Sequence, residues 1–275
     1  MRGAVRRLVR VGAFALLKIS RLAERVGRSL AVATLTRAEI DALGVAEWEA
    51  FGERGTVVGP EPFAWETELF GQQIRPGESV LVAGAGTGRD VMPLLEAGHP
   101  VTALDITPRA LTQLRERAAA RGLSVEIVHS SITTATLPPA AFDVVLFSWF
   151  CFGYLQGPEE RRAALLKSEA ALRRGGRILV SYPSRPTGLG GSLASVVSSL
   201  GRVTARLLGG LEARKGDEFI VSGTSTTPSV FFTHFFEPGD IEEEARRSGL
   251  VVTFHAQPTS GVGIAVLTRR EGIAR

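Results

Sequence analysis

The chain has 275 residues, 44% of them hydrophobic, enough to bury the core of one sizeable α/β domain with an extension and too many for a disordered chain. Its one cysteine, Cys151, excludes a disulfide framework; it lies in the apolar stretch 147–152, reads as a small buried hydrophobe, and points to a reducing, cytoplasmic compartment. The formal charge of +4 is uneven: residues 1–28 carry eight basic side chains against Glu24 alone, a net +7, so the remaining body has 24 basic and 27 acidic groups and argues against a nucleic-acid partner held through its phosphates.

Apolar residues recur at Val5, Leu8, Val9, Gly12, Leu16, Ile19, Leu22, Ala23, Val26 and Leu30, the three-and-four spacing of one helical face. The uncharged run 11–17 is far shorter than the ~20 residues that cross a bilayer. Charges at Lys18, Arg21, Glu24, Arg25 and Arg28 separate that run from Ala31-Val32-Ala33, which argues against a secretion signal. Two roles stay open for residues 1–32: packing on the domain or on a second copy in a homodimer, and peripheral membrane contact, with cations near anionic head groups. Thr36-Arg37-Ala38-Glu39 forms a capping box that opens a helix running to about Phe51. Gly52, Gly55, Gly59, Pro60 and Pro62 make a linker, so residues 1–62 are expected as a helical N-terminal extension. Phe63 to Ile74 then predicts a short helix.

Val80 to Ala83 is a continuous apolar run, the pattern of a strand covered on both faces. Gly84, Gly86 and Gly88 remove three side chains from one bend and let a ligand approach the backbone. A helix is predicted from Gly88 to Ala97 with Gly98 closing it, and a second strand, 101–104, delivers Asp105. A carboxylate there can accept hydrogen bonds from both hydroxyls of a ribose. The dinucleotide fingerprint needs a glycine where this chain has Arg89. The G-x-G-x-G spacing instead resembles the cofactor loop of class I S-adenosylmethionine-dependent methyltransferases.

That resemblance extends along residues 63–183 and 231–270. It implies a doubly wound, seven-stranded, mostly parallel sheet with a C-terminal β-hairpin, and S-adenosyl-L-methionine as cofactor. It also implies that the segment before the glycine loop covers the cofactor, with Trp65 and Glu66 as lid residues. Proline at the first turn opens a helix to about Arg121, and 125–129 is the third strand. After it the family often offers an acid to the adenine; this chain has Ser131 and Ile132. Another departure is Ala83, where an acid is frequent. Asp143 enters the fourth strand, 144–147, as a structural residue. Ser148, Trp149, Phe150, Cys151 and Tyr154 follow at its carboxyl end, where open α/β sheets place ligands. The Asn/Asp-Pro-Pro-aromatic motif of nucleobase and glutamine methyltransferases is not found there.

A helix from Pro158 to Arg174 and a fifth strand from Arg177 to Tyr182 come next. Residues 184–229 interrupt the family pattern. Their middle, 193–208, is apolar and amphipathic, expected as a helical insertion that caps an apolar substrate, fills a gap or forms a dimer contact. A helix over 240–248 and strands 251–255 and 263–268 complete the predicted domain, 63–275. The cofactor-binding candidates are Ala83, Gly84, Ala85, Gly86, Gly88, Asp105, Ile106, Ser131, Ile132, Ser148 and Trp149. For chemistry, His234 is predicted on a loop at the substrate side, with Tyr154 second. No cluster has metal-ligand spacing. The expected activity is methyl transfer to a small molecule, oxygen favoured over nitrogen. A scaffold or sensor that binds cofactor without turnover, and a nicotinamide oxidoreductase, are the alternatives.

Overall fold

A computed structural model describes residues 20, 23, 26, 27, 33–53, 61–147, 149–185, 204, 207, 214–222 and 229–270. The chain divides into two units, residues 1–43 with 187–231 and residues 44–186 with 232–275. The expected N-terminal helix over 1–32, the insertion helix over 193–208 and the side chain of Ser148 lie outside the described residues, apart from isolated positions.

The second unit is organised by β1 (Val80–Ala83), buried at all four positions. Its neighbours explain why the run lacks polar alternation: parallel β2 (Val101–Asp105) on one side, parallel β4 (Phe142–Phe147) on the other, and helices over both faces. With β3 (Glu126–His129), β5 (Leu172–Pro183) and the antiparallel β8 (Leu250–Thr259) and β9 (Val262–Arg269), the order is β3-β2-β1-β4-β5-β9-β8. The order reverses beside β1, so ligands are expected outside the carboxyl ends of β1 and β4. One core layer holds Leu81, Phe147, Phe152, Tyr182 and Phe236; the other holds Val80, Val82, Met92 and Leu114.

The helices whose bounds fall among the described residues are α1 (Arg37–Glu53), α2 (Ala64–Gln73), α3 (Val91–Glu96), α4 (Pro108–Ala119), α5 (Gly157–Ala171) and α6 (Asp240–Arg247). Glu39 accepts the Thr36 amide at 2.8 Å while Thr36 Oγ1 accepts the Glu39 amide, which is the predicted capping box. In α4 the residues Ala110, Leu111, Leu114 and Ala118 recur on one face and are buried.

Several boundaries differ from those read in the sequence. The helix after the glycine bend starts at Val91 rather than Gly88, because Gly88 sits at φ +91°, outside helical space. The helix predicted to Arg174 stops at Ala171. Leu172 already pairs with Phe142, and an irregularity in register between Phe142 and Val144 accommodates the extra residues before Arg177 meets Val144. Two strands not foreseen, β6 (Asp217–Ser222) and β7 (Ser229–His234), form a separate two-stranded sheet. His234 is therefore the last residue of a strand and not part of a loop; Phe232, Thr233 and His234 are all buried, so no apolar-polar alternation marks the strand in the sequence. Among the described residues no helix is long and apolar enough to cross a membrane.

Candidate active site

The three glycines of the bend do different work. Gly84 lies at φ +74°, and a Cβ there would sit 2.0 Å from Cys151 Sγ; a Cβ on Gly88 would sit 2.3 Å from Leu114 Cδ1. Both are therefore required by packing. Gly86, at φ +52°, faces open space. Its amide donates to Asp105 Oδ2 at 2.8 Å, and the Thr107 amide donates to Oδ1 at 2.8 Å. Two amides thus fix the carboxylate at the end of β2 and leave lone pairs on both oxygens for hydroxyl donors. Leu104 carbonyl accepts from the amides of Gly84 and Ala85, and Arg117 Nη1 donates to Thr87 carbonyl at 2.6 Å, which ties the far side of the bend to α4.

Beside the bend lies a cluster that the sequence showed only as a missing glycine. Arg89, Asp90 and Glu66 are all buried. Arg89 donates through Nη1 to Asp90 Oδ1 at 2.8 Å and to Glu66 Oε1 at 3.1 Å, and through Nη2 to Glu66 Oε2. Its guanidinium carbon is 5.0 Å from the ring centroids of both Phe63 and Trp149. Glu66 also accepts the Phe63 amide at 2.8 Å and so caps α2. The start of α2, including Phe63 and Glu66, is thereby fastened to the glycine bend. Trp65 stacks on Phe63 at 6.2 Å. Burial raises the Asp90 carboxyl, Arg89 opposes and Glu66 adds to the rise, and the result is about 7.

The carboxyl end of β4 turns sharply. Trp149 (φ +34°) and Phe150 (φ +62°) are consecutive non-glycine residues in the left-handed region, a strained arrangement that tends to occur at binding sites. Ser181 Oγ accepts the Phe150 amide at 3.2 Å and donates to Phe147 carbonyl, bridging the turn. The outcome is an aromatic wall: Phe63 against Trp149 at 5.2 Å and Trp149 on Phe150 at 4.8 Å, with Phe63 42% exposed. Cys151 donates to Gly84 carbonyl at 3.6 Å, and its thiol is pushed up by burial and by Asp105 and Asp90, so it stays protonated.

The two candidate catalytic residues belong to one neighbourhood. Tyr154 ends a 3₁₀ turn, Cys151–Tyr154, with its ring 4.9 Å from Trp48. Burial, then Cys151, raise its phenol well above the usual range. His234 is buried and meets Phe236 edge-on at 4.7 Å. Gly153 links them: a Cβ there would lie 3.1 Å from the His234 carbonyl oxygen.

On the other side of the bend Ile106 is 38% exposed, an apolar face next to Asp105. Its carbonyl meets His129 Nε2 at 3.1 Å. Ser131 Oγ is 2.8 Å from Thr133 Oγ1, and the Ile132 side chain is buried in the core. Ala83 and Ala85 are buried in the strand end and bend. Among the described residues no group of three acidic, histidine or cysteine side chains could hold a metal.

A family model described as "Methyltransferase domain" matches residues 80–176. An uncharacterised protein of Mycobacterium tuberculosis is 34% identical over 124 residues, 45% of this chain and 43% of that one, so the chain spans less than half the length of this relative. The cypemycin N-terminal methyltransferase of a Streptomyces species is 31% identical over 189 residues, 64% of this chain and 74% of that one. The fold matches the solved 1,6-didemethyltoxoflavin-N1-methyltransferase of Burkholderia thailandensis, which holds S-adenosylhomocysteine, with a TM-score of 0.57 at 19% identity, over 85% of this chain and 90% of that one.

Proposed function

This chain belongs to the class I S-adenosylmethionine-dependent methyltransferases, and on that premise we propose that it methylates a small, largely apolar molecule. The observation that carries the reading is Asp105, held by two backbone amides beside the open face at Gly86. The residues fit this cofactor. Asp105 retains acceptor capacity for a ribose diol, and Ile106 offers an apolar face beside it. The charges agree: Asp105, Asp90 and Glu66 stand against Arg89 and Arg117 around one bend, a setting that suits a cationic sulfonium and disfavours the pyrophosphate of a nicotinamide cofactor.

When bound, the cofactor supplies an electrophilic methyl group; the chain must align the acceptor, exclude water and receive its proton. Phe63, Trp65, Trp149 and Phe150 present flat apolar surface for the acceptor. Ser131 and the backbone at Ile132 would meet the adenine end. His234 is the base for a hydroxyl acceptor, while Tyr154, held protonated, orients the acceptor by donating a hydrogen bond. A nitrogen acceptor is the second reading, favoured by the names of the Streptomyces and Burkholderia relatives, which state methylation at an N-terminus and at N1.

The test is cofactor turnover with a panel of planar apolar alcohols, phenols and amines. His234→Ala is expected to cut kcat for hydroxyl acceptors about 100-fold, the usual contribution of a general base, and to leave amines nearly unaffected. Equal loss on both classes would remove His234 from the role of base; no turnover with any acceptor class, peptides included, would count against the activity itself.

A further inference from the structure

A row of polar side chains crosses the antiparallel end of the sheet, outside the glycine bend. Tyr182, next to last in β5, pairs with Gly263 of β9, and its ring passes over that glycine: a Cβ there would lie 2.2 Å from Tyr182 Cε2. The missing side chain lets the phenol reach β8, where Tyr182 Oη is 2.5 Å from His255 Nε2. His255 Nδ1 is in turn 2.9 Å from Glu242 Oε1 of α6. Burial first, then Glu242 and Asp240, push the phenol well above its usual range, so it stays protonated. Tyr182 Oη therefore donates to Nε2 of the neutral imidazole, whose own proton sits on Nδ1 and is donated to Glu242. Glu242 and His255 are part-exposed and Tyr182 is buried, so the row runs from the surface into the core.

At the inner end of the row the Tyr182 ring meets Phe236 edge-on at 5.0 Å, and Phe236 meets the His234 imidazole edge-on at 4.7 Å. The Phe236 amide donates to Pro183 carbonyl at 2.9 Å, which seats this segment beside the end of β5. His234 itself lies against the turn after β4. A Cβ on Gly153 would be 3.1 Å from its carbonyl oxygen, and Cys151 of the same turn is 3.6 Å from Gly84 carbonyl in the glycine bend. Filling the space against Phe236 needs only a phenyl ring. The hydroxyl, its histidine and the gap at Gly263 do more, since together they fix where that ring stands. Resting on the function proposed above, we propose that Tyr182 is a positioning residue for methyl transfer: held by His255 and Glu242, it acts through Phe236 to set the His234 imidazole where that base receives the proton of a hydroxyl acceptor.

Tyr182→Phe, made in the full chain, removes the hydroxyl and keeps the ring. With planar phenols and alcohols as acceptors its kcat is expected to fall about tenfold, the result of a small misplacement of a reacting group. KM, turnover of amines and calorimetric affinity for S-adenosylhomocysteine stay as they were. His255→Ala, at the part-exposed end of the row where the core is left intact, gives the same loss, and the double variant loses no more than either alone. His255→Gln, which still offers the phenol a hydrogen-bond partner, regains most of it. A second measurement needs no acceptor: NMR of the full chain with its histidine rings labelled in nitrogen. His255 is expected as the Nδ1–H tautomer in the unaltered chain, and in Tyr182→Phe the His234 signal shifts while that of His99, bonded to the Glu78 carbonyl, stays in place. An unmoved His234 signal, an undiminished kcat for hydroxyl acceptors, or a loss shared by amines or by cofactor affinity would overturn the inference. His234→Ala, run alongside, separates the two readings. If it costs hydroxyl and amine acceptors alike, the base assignment fails and the role of Tyr182 fails with it. If it acts as a base should and Tyr182→Phe does not follow, the positioning role alone is wrong.

Discussion

Asp105 and the glycines carry the argument at the scale of single residues, and they can be tested apart. Asp105→Ala removes hydrogen bonds from a charged acceptor, each worth about 1.5–3 kcal/mol, so cofactor affinity is expected to fall at least tenfold, and the Gly86 and Thr107 amides lose their acceptor, so the melting temperature falls as well. Gly88→Ala should act chiefly on stability. Its Cβ would press on Leu114 at a left-handed φ, and overpacking with backbone strain costs about 1–3 kcal/mol. Gly86→Ala has open space, so its stability loss should be smaller while affinity suffers more. Denaturant unfolding beside calorimetric titration separates the three. Asp105 was legible because spacing along the chain alone placed it. Arg89 was read only as the wrong residue for a dinucleotide site, since its partners Glu66 and Trp149 lie 23 and 60 positions away and no local pattern announces them.

Elements were legible where a period or a cap marks them, and less so where tertiary pairing decides. The capping box of α1, proline at the start of α4 and the four-residue run of β1 were all visible. The early start of β5 was not, because Leu172-Arg173-Arg174 has no strand alternation and is claimed by pairing with β4. Nor was the lock between α5 and α6. Arg161 Nε donates to Glu244 Oε1 at 2.7 Å, both side chains are buried, and the guanidinium lies 5.5 Å from the Phe236 ring. Glu244→Ala should strand that guanidinium and cost about 3–5 kcal/mol, read as a shift in the urea midpoint. Glu244→Gln, which keeps an acceptor, should cost less. The Trp149–Phe150 turn is another element that sequence cannot supply, since bulky residues with positive φ are disfavoured locally and persist only because Ser181 and the aromatic stack hold them.

For the whole molecule, the order β3-β2-β1-β4-β5-β9-β8 with its antiparallel end follows from seven strand signals and a final hairpin, both readable from the chain. The helix read at the centre of the insertion, 193–208, lies outside the described residues apart from two helical positions, 204 and 207, and the described part beyond it contributes β6 and leads into β7, which no sequence signal announced. Stability against pH should bear the mark of Asp90. Its folded value, about 7, lies above the ~3.9 of an unfolded aspartate, so its contribution is fully present below the unfolded value and is lost as pH rises through the folded one. Without ligand, the melting temperature between pH 4 and 7 is therefore expected to climb less steeply, or fall more, in the unaltered chain than in Asp90→Asn. Asp143 acts in the opposite sense. Burial alone would raise its carboxyl, but the Ser79 amide and the Arg173 guanidinium outweigh it and hold it below the usual range, so stability is lost as pH falls through that lowered value.

The central claim is that the bend from Gly84 to Gly88, closed by Asp105, holds S-adenosylmethionine. The most direct measurement is calorimetric titration of the full chain with S-adenosylmethionine, S-adenosylhomocysteine and NADH, repeated on Asp105→Ala. Binding of the first two, no binding of NADH, and at least tenfold weaker binding in the variant are expected. Binding of NADH alone, or cofactor binding unchanged in Asp105→Ala, would contradict the assignment.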